Sequence, residues 1–138
     1  MKYESIDSKL FIKNRANFSR EMKKNSIAFF NSNDIYPVSA DSTLPFEQHR
    51  DIFYLSGIDQ EESILVLCPD NPNPDLREIL FLKETNDHIA VWEGPKINKT
   101  QALEISGIKT VFWLKDLEKL VDKLVSTCHN IYFNKNEH

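Results

Sequence analysis

Ser63-Ile64-Leu65-Val66-Leu67-Cys68 is a run of apolar, mostly branched residues with no polar alternation. Such a run reads as a strand buried on both faces, because a sheet with one wet face alternates apolar and polar positions. Two covered faces imply helices above and below a sheet, which places the chain in the α/β class. Glu78–Lys83, EILFLK, reads as the next strand. It pairs antiparallel with the first across PDNPNPD, a loop whose three prolines mark a surface excursion and not a linker.

Working outward, Ser26–Phe30 reads as another buried strand, Ile108–Trp113 as an alternating one and Asn130–Phe133 as the last. A short extended piece at Tyr36–Ser39 is expected at a sheet edge, since Pro37 cannot donate to a ladder. Helical spacing of Leu10, Phe11, Phe18 and Met22 predicts a first helix over 8–24, capped by Asp7 or Ser8. A short helix over 99–106 stops at Gly107. A longer one over about 115–127 has Leu114, Leu117, Leu120, Val121, Leu124 and Val125 on one stripe. Arg50–Ile58, RDIFYLSGI, does not alternate and is too short for an independent helix.

The 138 residues fit one domain, and 41% apolar content is enough for a core. Net charge is −4 with the signs mixed along the chain, so no basic stripe points to nucleic acid or a membrane surface. MKYESIDSKLF lacks a signal-peptide core. No apolar run approaches the roughly 18 residues of a membrane span. Cys68 and Cys128 lie far apart in sequence and form no metal-ligand pair. They read as reduced, buried thiols of a cytoplasmic protein.

Reactive groups do not converge. His49, His88, His129 and His138 stand in four unrelated contexts, without the spacing of a helical zinc site. No nucleophile elbow is present, and Gly57, Gly94 and Gly107 are too few for a phosphate loop. Asp34, Asp41, Asp51 and Asp59 cluster in one region, but nothing basic nearby would hold a phosphodiester for a metal nuclease. From the residues alone the reading ends at an α/β domain without its own catalytic apparatus.

A resemblance carries it further. SADSTLPFEQHRDIFYLSGI, residues 39–58, is similar to the signature of the N-terminal domain of aminopeptidase P. Asp41, Ser42, Pro45, Phe46, Gln48, Asp51, Tyr54, Leu55, Gly57 and Ile58 fall on its positions. SILVLCPD, REILFLKE, VWEGPK and TQALEISGIKTVF follow in the family's order. The resemblance implies a mixed β-sheet flanked by helices, the creatinase/prolidase N-terminal domain fold with its ribonuclease H-like arrangement. It implies the N-terminal domain alone, expected to be inactive, of a longer Xaa-Pro aminopeptidase. Two divalent metals, manganese by family preference, would be held by a separate catalytic domain. The implied partners are that domain, further copies in a homo-oligomer, and a peptide with proline second.

By the same resemblance Trp92 helps wall the active site from a neighbouring subunit, and Asp41 belongs to that inter-subunit region. A strand-end tryptophan packed locally and a turn-capping aspartate are the alternatives. Asp51, Tyr54, Gly57 and Gly94 are signature positions with structural roles: Asp51 capping a short helical turn, Phe53, Tyr54 and Leu55 driving it inward, Gly57 ending it. Lys96, Leu44 and Glu47 depart from the family's Arg, Tyr and Arg. A prolidase or creatinase-like parent, and a non-catalytic interaction module, remain open alternatives.

Overall fold

The computed structural model describes residues 6–31, 43–45, 52–60, 62–94 and 96–133. The expected edge piece at Tyr36–Ser39 lies outside them. The helices are α1 (Ser8–Glu21), α2 (Ile52–Ser56), α3 (Asp87–Glu93), α4 (Lys99–Ser106) and α5 (Leu117–Val125). The strands are β1 (Ser26–Asn31), β2 (Thr43–Pro45), β3 (Ile64–Leu67), β4 (Glu78–Leu82), β5 (Thr110–Trp113) and β6 (Asn130–Phe133). They form one mixed sheet in the order β2-β6-β1-β3-β4-β5. β3 pairs antiparallel with β1 and β4, while β2–β6, β6–β1 and β4–β5 are parallel.

The strand alternation sorts the core into two layers. Ala28, Phe30, Leu65, Leu67, Leu80 and Leu82 point to the side covered by α1, α2 and α4. Ile27, Phe29, Ile64, Val66, Ile79 and Phe81 point to the other, where Leu117 and Leu124 of α5 close the layer. All of β1 and β3 is buried, as strands covered on both faces must be.

α1 ends at Glu21 and not at 24, because Met22 turns extended and Asn25 takes a left-handed backbone, φ 57°. Asp7 is the cap, accepting from Lys9 N at 2.9 Å. The buried stripe is Phe11, Asn14, Arg15 and Phe18, while Leu10 is half exposed. Two polar residues thus sit on the face predicted to be apolar, and they hold α2. Asn14 Nδ2 donates to Tyr54 O and Arg15 Nη1 to Leu55 O, each at 2.9 Å. A helix of five residues cannot satisfy its own last carbonyls, so its neighbour supplies the donors. Arg15 is fully buried, and its Nε lies 3.1 Å from the Glu78 carboxylate at the start of β4.

α2 and α4 end on the same tripeptide, Ser56-Gly57-Ile58 and Ser106-Gly107-Ile108. In each, the serine hydroxyl donates to the carbonyl four residues back and accepts from the isoleucine N–H. Both glycines have positive φ, 74° and 77°, and both isoleucines are buried. A Cβ on Gly57 would stand 2.5 Å from the Phe11 ring, and one on Gly107 would stand 2.7 Å from Ile12 Cδ1. α1 therefore rests on two glycines.

Gly107→Ala is expected to cost about 1–2 kcal/mol, the strain of a left-handed alanine, because exposed Ile12 can move aside. Gly57→Ala is expected to cost more, because Phe11 is buried and has nowhere to go; urea midpoints of the two variants would rank them. Arg15→Ala is expected to cost about 3 kcal/mol or more by the same measurement, since it leaves a cavity and an unpaired Leu55 carbonyl.

Candidate functional site

Of the signature residues, Asp41 and Asp51 lie outside the described residues, and so do Asp34, His49 and His138. The others do not gather into one cleft. Tyr54 and Gly57 belong to α2 and its end, while Trp92 and Gly94 belong to α3. Phe53 and Tyr54 do not enter the core: they are 43% and 42% exposed, while Ile52 and Leu55 are buried. The spacing of three residues decides this, since only one side of a short helix meets the domain. Phe11 touches the Phe53 ring edge-on at 6.0 Å.

Trp92 stands on a helix and not at a strand end. α3 occupies the excursion between β4 and α4, and the sequence reading placed no element there. Its start is fixed by Asn86, whose side chain accepts from Ile89 N at 2.9 Å. Its end is fixed by Gly94, φ 84°, whose N–H donates to Ala90 O. An Asn cap before a glycine stop is the signal that marks this helix in the sequence. Trp92 is 79% exposed and Val91 77%, so the locally packed alternative for Trp92 is overturned. The excursion is tied down at both ends. Lys83 and Glu62 lie 3.5 Å apart, and Lys115 reaches Glu84 at 2.9 Å. Beyond the helix, Ile97 N donates to Gln60 Oε1 at 2.8 Å, and Lys99 Nζ sits 4.7 Å above the Trp113 ring. A short capped helix on two anchored stalks therefore presents adjacent Val91 and Trp92 to its surroundings.

The cysteines depart from their sequence reading in one respect: Cys68 is buried as expected, but Cys128 is only half buried. Cys68 and Cys128 lie 60 positions apart, yet their Sγ atoms are 3.6 Å apart, and only Cys68 is fully buried. Neither is bridged. They line a cavity of about 240 Å³ with Asn25, Asp70, Asn71, Pro72 and Thr127. Distance along the chain concealed the pair, because Cys68 leaves β3 and Cys128 enters β6, on either side of β1. The hydrogen bond with Cys128 and burial both raise the Cys68 pKa, so this sulfur keeps its proton. That same bond lowers the Cys128 pKa to about 7, against the opposing effect of burial. Leu124 O, 3.4 Å from the Cys128 sulfur, is an acceptor that favours the thiol form. Among the described residues no group of three or more His, Cys, Asp or Glu is arranged to hold a metal ion. No helix among them is long and apolar enough to cross a membrane.

Cys128 is expected to be alkylated by iodoacetamide before Cys68. Only its thiolate reacts, so the rate should climb through a midpoint near pH 7 and not near the ordinary 9.0. Mass-mapped alkylation across pH checks this, with Cys68 and Asp70 the ionisable neighbours in the cavity.

Comparison with known proteins gives concordant matches. Residues 11–132 match the family model for the aminopeptidase P, N-terminal domain. Human Xaa-Pro aminopeptidase 3 is 27% identical over 105 residues, covering 75% of this chain and 21% of its own. Intermediate cleaving peptidase 55 of Saccharomyces cerevisiae is 28% identical over 127 residues, covering 90% of this chain and 24% of its own. The structure of Pseudomonas aeruginosa aminopeptidase PepP superposes with a TM-score of 0.75 over 97% of this chain and 30% of its own, at 21% identity. The chain thus spans less than a third of the length of each of these relatives.

Proposed function

The chain belongs to the aminopeptidase P N-terminal domain family, and on that premise we propose that it serves as the substrate-gating and oligomerising domain of a metal-dependent Xaa-Pro aminopeptidase. In this reading the parent enzyme is a cytoplasmic hydrolase that removes the residue preceding a proline. Its divalent metals belong to residues outside this chain, and no step of the hydrolysis is assigned to the residues described above.

The observation that carries the reading is the exposure of Trp92 and Val91 on α3. A tryptophan is the largest apolar side chain, and leaving it in water forgoes most of its burial energy. The helix beneath it is capped at both ends and its stalks are anchored, so the ridge is built and not left over. A ridge of this kind suits a surface covered by another domain or a second copy. A rigid aromatic there can wall a pocket for a proline ring or an apolar peptide side chain. Walls of this sort admit a free peptide end and exclude a folded protein.

In the complete enzyme with manganese, Trp92→Ala is expected to lower kcat/KM toward Xaa-Pro-Xaa tripeptides by about tenfold or more, as for loss of a buried aromatic contact. The isolated 138-residue chain should keep its stability on the same substitution, because Trp92 is 79% exposed there. Unaltered activity toward every peptide length, together with unaltered oligomer mass in light scattering, would remove Trp92 from the site. Cleavage of Xaa-Pro dipeptides alone would move the parent enzyme to the prolidases.

A further inference from the structure

The cavity beside β1 holds a pair of thiols that the proposed function does not use. It lies where three neighbouring strands of the sheet begin or end, β6, β1 and β3. Asn25, with its left-handed backbone, sits at the centre. Its N–H donates to Asp70 Oδ2 at 2.8 Å, and its carbonyl accepts from His129 N at 2.6 Å. These bonds hold the loop after β3 and the turn before β6 against the same residue. Cys68 and Cys128 are brought together by that arrangement, at an Sγ–Sγ distance of 3.6 Å.

We propose that Cys128 and Cys68 form an oxidative modification site that takes low-molecular-weight disulfides of the glutathione class and closes to an internal disulfide. Cys128 is the attacking sulfur: of the two thiols that line the cavity it is the half-buried one, whereas Cys68 is buried. A cavity of about 240 Å³ admits the end of a small disulfide.

The Cys128 thiolate attacks one sulfur of the reagent, whose sulfur–sulfur bond breaks. One thiolate leaves with the electron pair and takes up the proton that Cys128 released. The product is a mixed disulfide on Cys128. Cys68 then loses its proton, attacks the Cys128 sulfur and expels the second thiol. Two protein thiols are oxidised, and one small disulfide is reduced to two small thiols. The sulfurs must close from 3.6 Å to a bond length of about 2.05 Å, a movement within reach of side-chain rotation. The new bond would tie β3 to β6 across β1. The proposal is independent of the peptidase reading, since neither sulfur lies on α3.

The test treats the folded 138-residue chain with glutathione disulfide and reads the intact mass, followed by peptide mapping without reduction. The wild type is expected to lose two hydrogens, carry no adduct and yield a linked Cys68–Cys128 peptide pair, reversed by dithiothreitol. Cys68→Ser is expected to stop at a single glutathione adduct on Cys128, and Cys68→Ala gives the same reading should the serine disturb folding. Cys128→Ser is expected to react about tenfold more slowly or not at all while folded, because the remaining thiol is buried. A wild type that retains a stable glutathione adduct would overturn the proposal. So would a bond between two chains, or oxidation only after unfolding.

Discussion

The buried guanidinium of Arg15 joins three elements that are far apart in the chain. It lies on α1, holds the Leu55 carbonyl at the end of α2 and faces the Glu78 carboxylate at the start of β4. Beside it, Asn14 holds Tyr54 O. A five-residue helix has almost no stability of its own, since nucleation fixes several dihedrals for a single hydrogen bond. Here the cost is offset by donors from a longer helix, by burial of Ile52, Leu55 and Ile58, and by a serine and a glycine that close its end. Removing a buried charge from water is expensive, so Arg15 is tolerated only with these acceptors in place.

That junction sets one helical layer, and the sheet does the rest. β1, β3 and β4 carry large apolar side chains on both faces, so neither face can remain wet. α1, α2 and α4 cover one side and α5 the other. Among the described residues β1 and β3 are buried throughout, so no substrate cleft opens along these central strands. Exposed aromatic surface lies beyond these layers: Trp92 on α3, and the half-exposed Phe53 and Tyr54 on α2. The dithiol cavity sits instead at a strand end, where the chain enters and leaves the sheet. The α3 ridge and this cavity differ in structural origin: one projects from the layers, and the other lies at a strand end.

Legibility in the sequence followed the range of the interactions involved. Strand identity was carried by local runs such as SILVLC and EILFLK, and these fell within a residue or two of β3 and β4. α4 was bounded to the residue, because Gly107 and the helical spacing before it act within a turn. The end of α1 was overrun, since nothing local announces that Lys23 N will meet the Tyr132 hydroxyl, 3.4 Å away. α3 is not legible although Asn86 and Gly94 bracket it, because its seven residues are too few to show an apolar periodicity. The shared Ser-Gly-Ile ending of α2 and α4 takes its meaning from Phe11 and Ile12, which rest on the two glycines.

The sequence by itself determined that this is an α/β domain whose central strands are covered on both faces, because apolar runs without alternation do not suit a sheet with one wet face. Through the order of its dispersed motifs, it also determined the family. Tertiary structure decided which side chains meet. Arg15 is a core residue and not a solvated one, Tyr54 faces outward and not inward, Trp92 rides an exposed helix, and two cysteines 60 positions apart share a cavity. The physical reason is that hydrophobic pattern and turn chemistry are short-range, whereas the partner of a buried charge or a thiol is chosen by how the chain returns across the sheet.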